Sequence, residues 1–198
     1  GSIMANKQTA APQESAVKTM VVPVIVLVVI CVVCSAILAV LNDMTAPIIE
    51  ENTRLETLNS YIEVLPEGTQ AEALTQVEGD ALTTEGVEGA AYTADGAAAV
   101  KSVAGGYSGK TVTVYVAFDS TGTITSIKVD ASPQTAGIGT KTGDESFYSG
   151  FVGWDGSQQV SAGSPVDAIA GATVSSKAVF TAVNQAIDCY NNELKGVA

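Results

Sequence analysis

"TVTVYVAFDSTGTITSIKVDA", residues 111–131, decides how the polar part of this chain folds. Val112, Val114, Val116 and Phe118 alternate with Thr111, Thr113, Tyr115 and Ala117, the period of a strand with one face on a core. Asp119-Ser120-Thr121-Gly122 supplies a turn, and residues 123–131 return as a second strand, which makes a hairpin. Ile124 is out of phase with Ile127 and Val129, so a bulge is predicted near Thr125. Farther on, Ala182, Val183, Ala186, Ile187 and Tyr190 share one stripe of a predicted helix over Val174 to Asn191, packed on the sheet. A sheet with helices laid against it is the α+β class.

Working outward toward the N-terminus, residues 67–106 are rich in Ala, Gly, Thr and Glu with weak periodicity and read as short strands and loops. Thr45 to Leu65 places Ile48, Leu55, Leu58, Ile62 and Leu65 among acidic residues, an amphipathic helix ended by Pro66 and Gly68. Before it, residues 19–42 carry no charge and are long enough to cross about 30 Å of hydrocarbon as a helix, with Pro23 near its start. A cleaved signal peptide fits less well, because the run is too long and no small-x-small site precedes the acidic stretch. Lys7 and Lys18 precede the span and Arg54 follows it, which favours a cytoplasmic N-terminus and an extracytoplasmic domain. The expected organisation is thus a cytoplasmic tail over 1–18, a transmembrane helix over 19–42, a membrane-proximal helix over 43–66 and a folded domain over 67–198. Gly1–Ile3, ahead of Met4, read as an expression scar.

The charge narrows the chemistry. The chain carries a formal −12, and after residue 42 the balance is 7 − 20 = −13, so phosphate backbones are repelled and no nucleic-acid partner is expected. It contains no histidine, which removes Ser/His/Asp triads and His-ligated metal sites. Cys31 and Cys34 sit inside the apolar run as small packing residues, and Cys189 is expected to be a buried thiol. What remains is chemistry by carboxylates, hydroxyls or a bound cofactor.

Gly171-Ala172-Thr173 stands directly before the last predicted helix. The plain reading is a turn plus an N-cap, the glycine bending the chain and the threonine hydroxyl satisfying an orphan N–H. The sharper reading is an anion site at the positive end of that helix. No Walker pattern surrounds it, so nucleotide phosphoryl transfer is not supported.

The longer stretch Asp167-x-x-Ala170-Gly171-Ala172-Thr173-Val174-Ser175 resembles the flavinylation motif Asp-x-x-Ser/Thr-Gly-Ala-Thr of the FMN-binding domain family. The chain as a whole resembles the RnfG family of Rnf electron-transport complexes, with its counterpart in the Na⁺-pumping NADH:quinone reductase as a related family. The matches include "AVLNDMTAPIIEENTRLETLNSYIEVLPEG", "GGYSGKTVTVYVAFDSTGTITSIKV" and "QTAGIG" at 134–139, which is similar to the family's Glu-Thr-Pro-Gly-Leu-Gly loop. Ala170, Ala136 and Gln134 depart from the usual Ser/Thr, Pro and Glu, the last removing a charge near the flavin.

The resemblance implies that Thr173 carries FMN through a phosphoester, that Asp167 serves a flavin transferase, and that Thr135, Gly137, Ile138 and Gly139 bring backbone to the ring. Gly171 and Ala172 belong to the same site. Tyr107 is expected to stack near the ring, and Ser175 and Ser176 to add hydroxyl donors or serve simply as first-turn residues. Trp154 is expected in the core. The implied function is an electron relay without catalysis of its own, within an ion-translocating ferredoxin:NAD⁺ oxidoreductase whose other Rnf subunits are its partners. The alternatives are the quinone-reductase counterpart, a free-standing anchored flavoprotein, and a non-redox tethered binding domain in which Gly-Ala-Thr is only a cap.

Overall fold

The computed structural model describes residues 13–197, and its contacts divide the chain into two units with the boundary after Thr53. Of the tail expected over residues 1–18, residues 1–12 lie outside the described residues and the rest belong to the first helix. The first helix, α1, is Gln13–Val64. Among the described residues it is the one helix long and apolar enough to span a membrane, and none of its apolar window is buried by protein. A surface of Val, Ile and Leu with no protein cover fits a lipid environment. Thr45 and Thr53 fold their hydroxyls back onto Leu41 O (2.8 Å) and Ile49 O (2.9 Å), which satisfies them within the helix.

The sequence divides this region at residues 42 and 43, but the helix runs through without a break. No glycine stands there, and Pro47 removes a single N–H from the ladder. The expected apolar stripe also differs. Ile48 and Leu55 are exposed, Leu58 and Ile62 are half-buried, and the last turns bury Tyr61 and Val64 beside the expected Leu65.

In the second unit, five described strands form one antiparallel meander in chain order. They are β1 (Thr75–Glu78), β2 (Val87–Tyr92), β3 (Ala98–Gly105), β4 (Thr111–Phe118) and β5 (Ile124–Asp130). The β4–β5 hairpin shifts register where Ala117 faces Ser126 and Phe118 faces Ile124, so Thr125 is the extra residue of the expected bulge. The central strand β3 was not resolved by periodicity. Its alanines are small enough to be buried on both faces, so they alternate with nothing.

A short helix α2 (Glu145–Tyr148), a small parallel pair β6 (Ser161–Ala162) and β7 (Pro165–Val166), and the long helix α3 (Thr173–Cys189) complete the unit. The sheet is covered on both sides. On one face Val100, Val112, Val114, Val116 and Phe118 meet Val179, Val183, Ala186 and Ile187 of α3. Each Val, Ile or Phe in this set contributes roughly 1.5–3 kcal/mol by burial. On the other face Ala91, Ala99, Tyr115 and Ala117 pack with Tyr61, Val64 and Leu65. Tyr115 and Ala117 are therefore buried, although alternation alone would expose them. Cys189 is fully buried, and that burial pushes its thiol up to about 12. Trp154 is only half-buried at the edge of the core and donates its indole N–H to Gln158 O at 2.9 Å.

Candidate functional site

The approach to α3 is set by one tight turn. Ala172 N–H donates to Ile169 O at 2.9 Å, with Gly171 at the third position of the turn and φ +81°. A Cβ there would touch nothing within 4 Å, so the backbone angle, not crowding, calls for glycine. The helix then begins one residue earlier than the sequence suggests. Ala172 is the N-cap, its carbonyl accepts the first helical bond from Ser176 N–H (2.9 Å), and no side chain caps this end.

Thr173 is consequently the first helical residue, and the expectation that its hydroxyl forms the cap is overturned. The turn closes on Ala172, which leaves Thr173 past the capping position. Its side chain is exposed, and the first amides of the helix have no side-chain partner.

This helix end opens on a cavity of about 320 Å³, at the lower limit of usual ligand pockets. Of the residues expected at the site, Tyr107, Thr135, Ile138, Gly139, Gly171, Ala172, Thr173 and Ser175 line it together. They come from three separate segments: the turn before β4, the loop after β5 and the turn leading into α3 with the start of that helix. Tyr107, Ile138 and Val174 are exposed by 56%, 48% and 49%, which gives the cavity an apolar rim.

Val174 was missed by sequence reasoning, and its signal was an apolar residue off the buried stripe of α3. Gly137 and Ser176 do not line the cavity. Gly137 (φ +72°) shapes the loop and donates its N–H to Thr140 Oγ1 at 3.0 Å. Ser176 is fully buried and accepts Ile169 N–H at 3.0 Å, which steadies the incoming turn. Ser175 Oγ donates to Gln134 Oε1 at 2.9 Å. Asp167 is exposed and lies outside the lining.

The electrostatics of the cavity run against those of the chain. Despite the net charge of −12, no carboxylate lines this cavity. A second, wider cavity of about 680 Å³ near Pro66 has Glu67, Glu72 and Asp95 in its walls. Only the first combines an uncapped helix N-terminus, a reachable hydroxyl, an aromatic wall and the absence of acids. That set suits an anionic group carried on a planar apolar body. Among the described residues no group of three or more Asp, Glu and Cys gathers to hold a metal ion.

Comparison with known families agrees with this division of labour. Residues 106–188, which contain all three segments of the cavity, match the FMN-binding domain. Residues 6–64 match the RnfG N-terminal region. No curated protein matches the chain significantly.

Proposed function

The chain belongs to the RnfG family and carries that family's FMN-binding domain, and from this premise we propose that it is an electron-relay subunit with FMN esterified to Thr173 Oγ1. The complex served is an ion-translocating ferredoxin:NAD⁺ oxidoreductase of the Rnf type. The observation that carries the attachment site is the exposed threonine at an uncapped helix end inside an acid-free cavity. When bound, FMN supplies the one- and two-electron chemistry that amino-acid side chains lack.

The chain's own residues bind and orient. The first amides of α3 and its dipole would hold the single negative charge of a phosphodiester at Thr173. Ala172, which is buried, offers no side chain that competes for those amides. Tyr107, Ile138 and Val174 would flank the ring with apolar surface, and the loop at Thr135 and Gly139 would approach it with backbone. Gly139 must be glycine for that approach, because a Cβ there would lie 2.7 Å from Ser175 Oγ and 2.9 Å from Gln134 Cβ. A covalent link keeps the site filled where a free flavin would diffuse away, which matters for a domain facing the outside of the cell. That placement follows from Lys7 and Lys18 ahead of the apolar helix. Maturation would need a flavin transferase that recognises the segment from Asp167 to Thr173.

The match to the RnfG N-terminal region favours this reading over the quinone-reductase relative. The test is intact mass of the denatured chain from its native membrane, paired with ultraviolet-excited fluorescence of its gel band. A mass higher by one FMN less one water, absent from Thr173→Ala, supports the assignment. Covalent flavin that survives in Thr173→Ala overturns it.

A further inference from the structure

Resting on the reading of the cavity as the flavin site, we propose that Gln134 is a positioning residue that holds the aromatic wall at Tyr107 in place against the start of α3, using both ends of its amide to do so. Gln134 is 4% exposed and is not itself a lining residue. Its amide is fully committed. Oε1 accepts Tyr107 N–H at 3.0 Å and Ser175 Oγ–H at 2.9 Å. Nε2 donates to Lys110 O and to Thr111 O, both at 3.1 Å. One side chain therefore joins the loop after β5 to the turn before β4 and to the first turn of α3.

Space has been cleared for it at two glycines. A Cβ on Gly106 would lie 2.5 Å from Oε1 and 2.7 Å from Nε2, and one on Gly139 would lie 2.9 Å from Gln134 Cβ. Neither glycine has a positive φ, so what a side chain would meet there is Gln134 and its partner Ser175. A carboxylate of the same shape would turn an acceptor toward the Lys110 and Thr111 carbonyls and lose both donated bonds. It would also place a negative charge close to the end of α3 that favours an anion.

The experiment compares Gln134→Glu and Gly106→Ala with the wild-type full chain in detergent micelles. Gly106→Ala alters no polar group and lies outside the cavity lining, and it pushes the amide away at the flexible end of the side chain, so it carries the test if Gln134→Glu does not fold. In chain made without flavin transferase, hydrogen exchange at the Tyr107 amide should quicken about tenfold or more, in Gly106→Ala because its acceptor Oε1 is pushed away and in Gln134→Glu because the side chain is no longer tied to Lys110 O and Thr111 O, while Val116 is unchanged. In flavin-bearing chain, the visible circular dichroism of the ring should weaken as the wall loosens. Tyr107 exchange that matches wild type, exchange that quickens equally at Val116, or unchanged dichroism would overturn the proposal. A wild-type chain that never acquires flavin would instead defeat the functional reading, and the exchange measurement would still decide the role of Gln134.

Discussion

At its C-terminal end α3 runs into a π turn, Tyr190–Leu194, which buries Tyr190 and Leu194 in the domain. Tyr190 stacks on Phe118 with ring centroids 4.7 Å apart and donates its hydroxyl to Asp119 O at 2.8 Å. Glu193 accepts the Thr83 and Thr84 amides at 2.7 and 2.9 Å and the Thr84 hydroxyl as well. At its N-terminal end the same helix starts from an alanine cap, shows an exposed threonine and opens on a cavity. A helix end that serves only stability is closed by neighbouring side chains. The end left open is the one able to bind, because the unsatisfied amides and the dipole are what a negatively charged ligand uses.

The contrast can be broken most sharply by Thr173→Ala. It should remove covalent flavin completely while folding stability stays within about 0.5 kcal/mol, since an exposed first-turn residue that caps nothing is replaced by a good helix former. A chemical denaturation midpoint well below wild type would show that Thr173 has a structural duty after all. At the closed end the expectation is reversed. Tyr190→Ala should cost about 3–5 kcal/mol through the lost ring stack and the cavity left behind. Loss of only a few tenths would mean that this end is no better supported than the other.

Glu193→Gln should cost about 1–2 kcal/mol near neutrality, because an amide cannot accept on both sides. Burial raises the Glu193 carboxyl, but the Thr84 hydroxyl and the Thr83 and Thr84 amides outweigh it and hold the group below its ordinary value of 4.5. A depressed carboxyl stabilises the fold above its unfolded value and loses that contribution as pH falls through the folded one. The gap between wild type and Glu193→Gln should therefore close below about pH 4.5, and a gap unchanged at pH 3 would exclude the mechanism. The smallest effect is the most pointed. Val174→Glu should add about 0.3–1 kcal/mol by complementing the helix dipole. It should at the same time slow flavin attachment, since it brings a carboxylate into a lining that has none. Faster attachment would argue against an anion at this end.

Much of this domain was legible in residue order because its elements are periodic. The β4–β5 hairpin, the bulge at Thr125 and the buried stripe of α3 follow from apolar residues recurring every second or every third to fourth position. β3 was not legible, because alanines buried on both faces leave no alternation. At residues 42 and 43 the helix simply continues, since a change from apolar to acidic composition alters a helix's surroundings without ending it. The site was half legible. Motif likeness named residues that line one cavity, whereas the plain reading of Gly171-Ala172-Thr173 gave Thr173 the cap position that Ala172 holds.

The sequence by itself determined the apolar anchor segment and the α+β class, because these depend on neighbours a few residues apart, while likeness to a family named the three segments that line the cavity. Only the tertiary structure decided that the sheet is covered on both faces, that the end of α3 is left uncapped, and that Gln134 ties Tyr107 to Ser175. Those bonds span 27 and 41 residues of chain. No local period records a contact between segments so far apart, because the partner is chosen by where the folded backbone brings it.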